Sequence, residues 1–190
     1  MIVTGVLLVP FATAVIWSGN VTRREREAEV REQAGSVATT AAAYLNQYLS
    51  GVDSMAVALS LNPTVAAMQR EESDRLLAAV LRDQPLLLNI VLTDANGSIK
   101  GTALPGRLDQ GSTVSLPYAH EVIVTGKPVV SELITGVLSG KPTVILAYPV
   151  RTHAGNVVGA IDIGLNLSRL QTLFSSIPLP EGSVVTLTDE

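Results

Sequence analysis

Cysteine is absent from all 190 residues, and disulfides, thiolate catalysis, iron–sulfur clusters and cysteine-ligated zinc go with it. That absence suits either side of a membrane and leaves the compartment open. Aromatic residues make up only 4%, so a core here must be built from Val, Ile, Leu and Ala. Histidine is nearly missing too: His120 and His153 stand too far apart for a two-histidine metal spacing. No Gly-x-Ser-x-Gly elbow occurs. The Gly-Lys-Pro tripeptides at 126–128 and 140–142 lack the upstream glycine and the following Ser/Thr of a phosphate loop. The chain reads as non-enzymatic, and nothing in it implies a metal or a cofactor. A net charge of −4, with no basic patch interleaved with aromatics, excludes a nucleic-acid partner.

Charge is also missing locally. Met1 to Thr22 carries no ionisable side chain and is mostly aliphatic through Trp17. At about 1.5 Å per residue such a helix reaches about 33 Å, enough for a hydrocarbon core of about 30 Å. Pro10 is tolerable in such a helix, and Trp17 falls where an interfacial aromatic belongs. Residues 1–22 are therefore expected to anchor the chain in a membrane. Two other readings compete. A buried soluble helix is one; a cleaved signal peptide is the other, lacking a basic flank but with Ala12-Thr13-Ala14 imitating a cleavage site. The missing flank also fits a start that lies upstream. Arg23 and Arg24, directly after the span, would by the positive-inside bias favour a cytoplasmic location for the remainder of the chain.

Residues 23–60 read as one long helix. Its start alternates Arg and Glu, with Glu27 four positions before Arg31, a favourable helical pair. Small or apolar residues then recur in steps of three and four, from Ala34 and Val37 to Tyr48, Val52, Met55 and Leu59. No proline intervenes before Pro63, which implies a helix of about 35–40 residues against a usual length of about 11–12. Either it is a core helix or it is a stalk that also dimerises side by side. The Ala-rich first half favours the stalk, and the second half, with Tyr44, Tyr48 and Leu59, suits a cover over a sheet.

Beyond Asn62-Pro63 the pattern predicts short helices through Met68 and over 75–82, with Leu76, Leu77, Val80 and Leu81 inward. A strand over 86–93, an Asn-Gly turn at 94–98 and a returning strand over 99–104 come next. An open loop (Pro105-Gly106, Gln110-Gly111) leads to a short helix over 119–124. Residues 125–165 then read as an antiparallel meander. Each Gly-Lys-Pro marks a turn, with glycine supplying unusual backbone angles and proline sitting where a strand begins. The strands are expected at 129–131, 143–147 and 157–163. A helix over 167–174 has Asn166 or Ser168 as N-cap. After the break at Pro178-Leu179-Pro180, residues 184–189 echo Ile90-Val91-Leu92-Thr93-Asp94, as if a second module were cut just as it begins. The expected fold class is α+β: a transmembrane helix (1–22), a long stalk or core helix (23–60) packed on a five-stranded antiparallel sheet within a module at 61–176, and a truncated second module (177–190).

That order of elements is PAS-like, and the residues resemble a known family. The stretch Tyr118…Thr125-Gly126-Lys127-Pro128-Val129-Val130-Ser131…Ser139-Gly140-Lys141-Pro142…Ala147-Tyr148-Pro149-Val150-Arg151…Gly155-Asn156-Val157-Val158-Gly159 resembles the Cache family of extracytoplasmic sensor domains. Asn89-Ile90-Val91-Leu92-Thr93-Asp94-Ala95-Asn96-Gly97 is similar to that family's first strand and turn. The resemblance covers roughly residues 23–175, and the tail looks like the start of the second module of a double-Cache unit. It implies a ligand sensor of a bacterial membrane receptor of the histidine kinase, chemoreceptor or diguanylate cyclase type, with its output outside this chain. It also implies placement outside the inner membrane, in the periplasm or the extracellular space; the long helix, read as a stalk, is expected to join two copies as a homodimer.

A sensor pocket in this architecture would lie between the sheet and the loop from Gly101 to Val124. Tyr118 and His120 on that loop, Ser131, Tyr148 and Asp162 on the strands are the polar groups able to converge on a small-molecule ligand. Asp162 carries the most information, as a carboxylate inside the apolar run Ala160-Ile161-Asp162-Ile163; it either enters the pocket or faces solvent by alternation. Tyr148 is either a ligand contact or a packing aromatic. The amino-acid-binding Cache group carries an Arg-x-Trp-Tyr cluster that this chain lacks, and Asp162 resembles only that group's last element. The competing function, from another class, is a structural or protein-binding extracytoplasmic module without a pocket. An open polar cavity around Tyr118, Ser131 and Asp162 separates the two.

Overall fold

The computed structural model describes the backbone of residues 3–104 and 116–175, and the side chains of residues 29–104 and 116–173. The predicted open loop at 105–111 and the truncated second module at 177–190 lie outside the described residues. The chain divides into two units, residues 47–173 and residues 1–46 with 174–190.

Helix α1 (Val3–Ser60) runs 58 residues without interruption, longer than the sequence pattern predicts. The change of composition at Arg23 alters what the helix can touch but supplies no stop, and the next proline after Pro10 is Pro63. Among the described residues no helix is long and apolar enough to cross a membrane; the side chains of the expected anchor, residues 1–22, are outside that set. In the first unit, the hydroxyls of Thr39 and Thr40 donate to the carbonyls of Gly35 and Ser36, each at 2.9 Å, so these polar groups bond to their own helix.

In the second unit α1 stops at Asn62, whose side-chain oxygen accepts from Thr64 N at 2.9 Å and caps helix α2 (Pro63–Ala66). Helix α3 (Arg70–Arg82) has Glu71 and Glu72 in its first turn and Arg82 in its last, as the macrodipole favours. It buries Ser73 and Leu77, while Leu76, Val80 and Leu81 are only half-buried. Strands β1 (Leu87–Asp94) and β2 (Ile99–Thr102) form the predicted hairpin. The Asp94 carboxylate holds its turn, accepting from Asn96 N and Ser98 N at 2.9 Å each and pairing with Lys100 at 3.1 Å.

Helix α4 (Pro117–Thr125) starts on a proline and ends at Gly126, whose φ of 66° is the left-handed cap that glycine permits. Then come β3 (Val129–Val130), β4 (Ile134–Thr135), β5 (Pro142–Thr143), β6 (Ile145–Arg151), β7 (Val157–Leu165) and α5 (Leu167–Ser175). Asn166 is the cap of α5, accepting from Arg169 N at 3.2 Å.

The five-stranded sheet has the order β2-β1-β7-β6-β3 with every pair antiparallel. The meander β3-β6-β7 is present, with one correction. The second Gly-Lys-Pro does not launch a strand of this sheet. Pro142-Thr143 pairs with β4 in a separate two-stranded ribbon, and the main strand begins at Ile145. Gly140, at φ 65°, turns the ribbon back on itself, and the Thr143 hydroxyl donates to Leu165 O at 2.9 Å, tying the ribbon to the end of β7.

Strand β7 is the middle of the sheet, and Gly159 to Leu165 are all buried. One sheet face, with Ile145, Ala147 and Ala160, packs against Tyr118, Ala119 and Val122 of α4. The other carries Ile90, Leu92, Ile161 and Ile163, all fully buried, each contributing about 1.5–3 kcal/mol of apolar burial. On that side α3 approaches β2 so closely that a Cβ on Gly101 would lie 2.8 Å from Ser73 Cβ. Val52, Ala56 and Leu59, at i, i+4 and i+7 of α1, form a buried stripe on that helix.

Gly159 permits the tightest approach. A Cβ at this position would collide with the backbone carbonyl of Thr93 on β1 and come within 2.7 Å of Met68 Cε. Backbone cannot retreat as a flexible side chain can. Gly159→Ala is therefore expected to destabilise the second unit by about 3 kcal/mol or more, the upper range for overpacking, read as a lowered unfolding midpoint in urea. A midpoint within error of wild type would contradict this packing.

Candidate functional site

The register of the sheet builds the site. Opposite Asp162 on β7 stand Val91 on β1 and Ala147 on β6, with Thr102 opposite Val91. Side chains directly opposite in an antiparallel sheet share a face, so the Asp162 carboxyl emerges among apolar neighbours on the α4 side. Its residue is 2% exposed. Asp162 is thus a carboxyl inside the protein, and the solvent-facing alternative is excluded.

Neither oxygen of this carboxyl has a hydrogen-bond partner among the described residues. The polar groups around it are engaged elsewhere. Asn89 and Thr102 bond to each other at 3.3 Å, and Asn89 Oδ1 accepts from Ile90 N at 2.8 Å. The Thr93 hydroxyl donates to Ala160 O at 3.4 Å. Burial without compensation disfavours the charged form and lifts the Asp162 carboxyl to about 7, the nearby Thr93 hydroxyl pulling weakly the other way. The Tyr118 hydroxyl is close enough to feel the same carboxyl. Burial first, and the charge of Asp162 second, push its pKa well above the usual phenol range.

The carboxyl lines a cavity of about 50 Å³, large enough for more than one water at about 10–15 Å³ each. Its walls are Tyr118 and Leu116 at the start of α4, Val91 and Asn89 on β1, Ile145 and Gly164 on the sheet floor, and Gly136 to Ser139 of the β4–β5 ribbon. At the edge, Leu88 occupies a bulge where the β1–β7 register shifts between Leu87 and Asn89, the kind of local kink that redirects side chains.

Of the five residues singled out by sequence, two meet here: Tyr118 and Asp162. Three do not. His120 is exposed on α4, one residue past the buried pair Tyr118-Ala119. The Ser131 hydroxyl is spent on structure, accepting from Ile145 N at 2.9 Å and donating to Glu132 O at 2.7 Å. Tyr148 stands opposite Ile161, one position out of phase with Asp162, so it points to the other face of the sheet. There burial, then a hydrogen bond to the Asp53 carboxylate of α1 and the charge of that carboxylate, raise its pKa to about 12. The β4–β5 ribbon, Asn89 and Gly164 were not foreseen as parts of the wall.

No family model matches this sequence, and no curated protein sequence is similar to it. Solved structures are similar in fold. An extracellular ligand-binding receptor from Desulfohalobium retbaense matches with a TM-score of 0.62 at 20% identity, over 74% of this chain and 26% of that one. The sensor domain of the Vibrio cholerae histidine kinase DctB matches at 0.62 and 18% identity, over 79% of this chain and 60% of that one. The ligand-binding domain of the Campylobacter jejuni chemoreceptor Tlp3, in complex with L-valine, matches at 0.59 and 14% identity, over 80% of this chain and 65% of that one. The chain thus spans less than two thirds of the length of each. At these identities the likeness is one of fold: the long helix and antiparallel sheet of this chain are arranged as in these sensor domains.

Two outcomes test the geometry. A carboxyl titrating near 7 when folded and near 3.9 when unfolded binds its proton more tightly in the folded state. Its contribution to stability is fully present below about pH 3.9 and is lost as pH rises through about 7, at up to about 1.4 kcal/mol per pH unit within that window. Asp162→Asn is therefore expected to melt increasingly above wild type as pH goes from 4 to 8 (about the titration window); a gap that does not change with pH would contradict the buried, unpartnered placement. Tyr148→Phe, on the other face, is expected to cost about 1 kcal/mol for its lost hydrogen bond without altering that pH-dependent gap.

Proposed function

We propose that this chain is the ligand-sensing extracytoplasmic part of a membrane-bound receptor, non-catalytic itself, which passes a conformational change to an output outside residues 1–190. The observation that carries the reading is the cavity of about 50 Å³ on the α4 side of the sheet, with an unpartnered buried carboxyl in its wall. A filled apolar core, as a purely structural module would have, leaves no reason to keep a carboxylate there at a cost of several kcal/mol.

Ligands named in related structures, such as L-valine with Tlp3 and asparagine with Mlp24, support a small molecule as the signal. For this chain the chemistry narrows the class. One carboxyl, one tyrosine hydroxyl and apolar walls suit a compact ammonium group on a short aliphatic body. Asp162 would accept from the ammonium, Tyr118 would position it, and Gly164 would form part of the floor. His120, Ser131 and Tyr148 have no part in this binding.

Transmission in this reading runs from β7 through the sheet to α1, since the face opposite Asp162 holds the Tyr148–Asp53 link. A ligand acts by binding one of two arrangements better than the other. Residues 1–22, free of charge over a length that suits a bilayer, would anchor the receptor in the inner membrane with the sensor outside. Val30 and Tyr44, exposed on α1 and two heptads apart, would help join two copies along the helix. Residues 177–190 would open a second module.

A thermal-shift screen with short primary amines, amino acids and organic acids tests the proposal. Stabilisation by amines in wild type, lost in Asp162→Asn while Ser131→Ala keeps it, is the expected outcome. No stabilisation by any of the three classes would favour the structural or protein-binding alternative.

A further inference from the structure

An empty cavity and an occupied one face the same electrostatic problem. A carboxylate at 2% exposure whose oxygens accept no hydrogen bond from the described residues, with only the Thr93 hydroxyl close enough to favour its charged form, is a poorly compensated buried charge, which a folded protein avoids by keeping the group neutral. A buried ammonium with a neutral carboxylic acid would be just as poorly compensated. Both states are satisfied if one positive charge is always present beside Asp162.

We propose that the cavity is a proton-linked cation site: unliganded Asp162 holds a proton, and an ammonium enters only as that proton leaves to solvent. The inference rests on the ammonium reading given above. The exchange is balanced, with one proton out, one monovalent cation in and no change in net charge within the cavity.

The surroundings support this from every packed element. Helix α4 offers only the Tyr118 hydroxyl toward the carboxyl, its His120 and Glu121 being exposed. Strands β1 and β2 present Asn89, Thr93 and Thr102, all uncharged and engaged with protein partners. Strand β6 presents Ala147 directly opposite, and its Arg151 is held by the carbonyls of Gly126 and Gly155 at 2.7 and 2.9 Å. In the β4–β5 ribbon Lys141 is exposed. Arg107 and Asp109 belong to 105–115, outside the described residues. No described side chain supplies the positive charge; in this proposal a proton or a ligand does.

The consequence is a sensor whose affinity depends on pH, so that it reports ligand and acidity together. Burial sets the midpoint near 7, so affinity should be about tenfold weaker at pH 6 than at pH 8, the ratio of ionised fractions.

The test uses the full chain in detergent and has two arms. Carbon-13 NMR of the aspartate carboxyls, assigned with Asp162→Asn, follows the unliganded titration. Calorimetry of propylammonium binding at both pH values, in two buffers of different ionisation heat, counts the protons released. The proposal expects an Asp162 midpoint near 7, tenfold tighter binding at the higher pH, and close to one proton released per amine at pH 6. A midpoint near 4 overturns it. So does amine binding that is independent of pH, which would leave the ammonium reading intact. A midpoint near 7 with no amine bound at either pH overturns both.

Discussion

The carboxyl of Asp162 is the constraint around which this structure is arranged. A charge in the middle of the central strand, covered on both sheet faces, is costly unless something compensates it. The neighbouring polar groups have bonds of their own: Asn89 with Thr102, Thr93 with Ala160. What remains is space. The bulge at Leu88, the sheet floor at Ile145 and Gly164 and the β4–β5 ribbon surround a cavity that packing has not closed. A void with an unpaired carboxyl beside it is what supports the proposal of a ligand at this place.

The two faces of the sheet divide the work. Alternation along β6 and β7 sends Asp162 and Ala147 toward α4, and Ile161 and Tyr148 toward the helices on the other side. A single strand therefore touches the cavity on one side and, through its pairing with Tyr148, the Asp53 link to α1 on the other. Gly159 keeps β7 close to β1 at one end, and the Thr143–Leu165 bond holds the ribbon to the other. The ribbon that lines the cavity is thus tied to the strand that carries the carboxyl.

Much of this was legible from residues alone. The hairpin turn at Asp94–Ser98, the left-handed cap at Gly126, the helix stop at Asn62-Pro63 and the apolar run of β7 each follow from local chemistry that tertiary contacts did not override. The ribbon was missed because strands of two residues carry no periodicity; only Gly140-Lys141-Pro142 hinted at a reversal, and a reversal does not say which sheet comes after it. The site divided along the same line. Asp162 stands out as a carboxylate among aliphatics, but in a strand buried on both faces alternation cannot say whether it meets solvent or a cavity. Tyr148 and Asp162 look like partners in sequence, and only the register, set by long-range pairing, shows that they point apart. Ser131 looks free until its bond to Ile145 N is known.

The central claim is that Asp162 faces an open cavity that accepts a cation. A crystal structure of the chain grown with propylammonium at pH 8, above the midpoint near 7, tests it most directly. The account predicts the ammonium nitrogen within hydrogen-bond distance of Asp162 and beside the Tyr118 hydroxyl, with Gly164 beneath the alkyl chain. A cavity filled by side chains, or the Asp162 carboxylate paired with a cation of the chain itself such as Arg107, would contradict it.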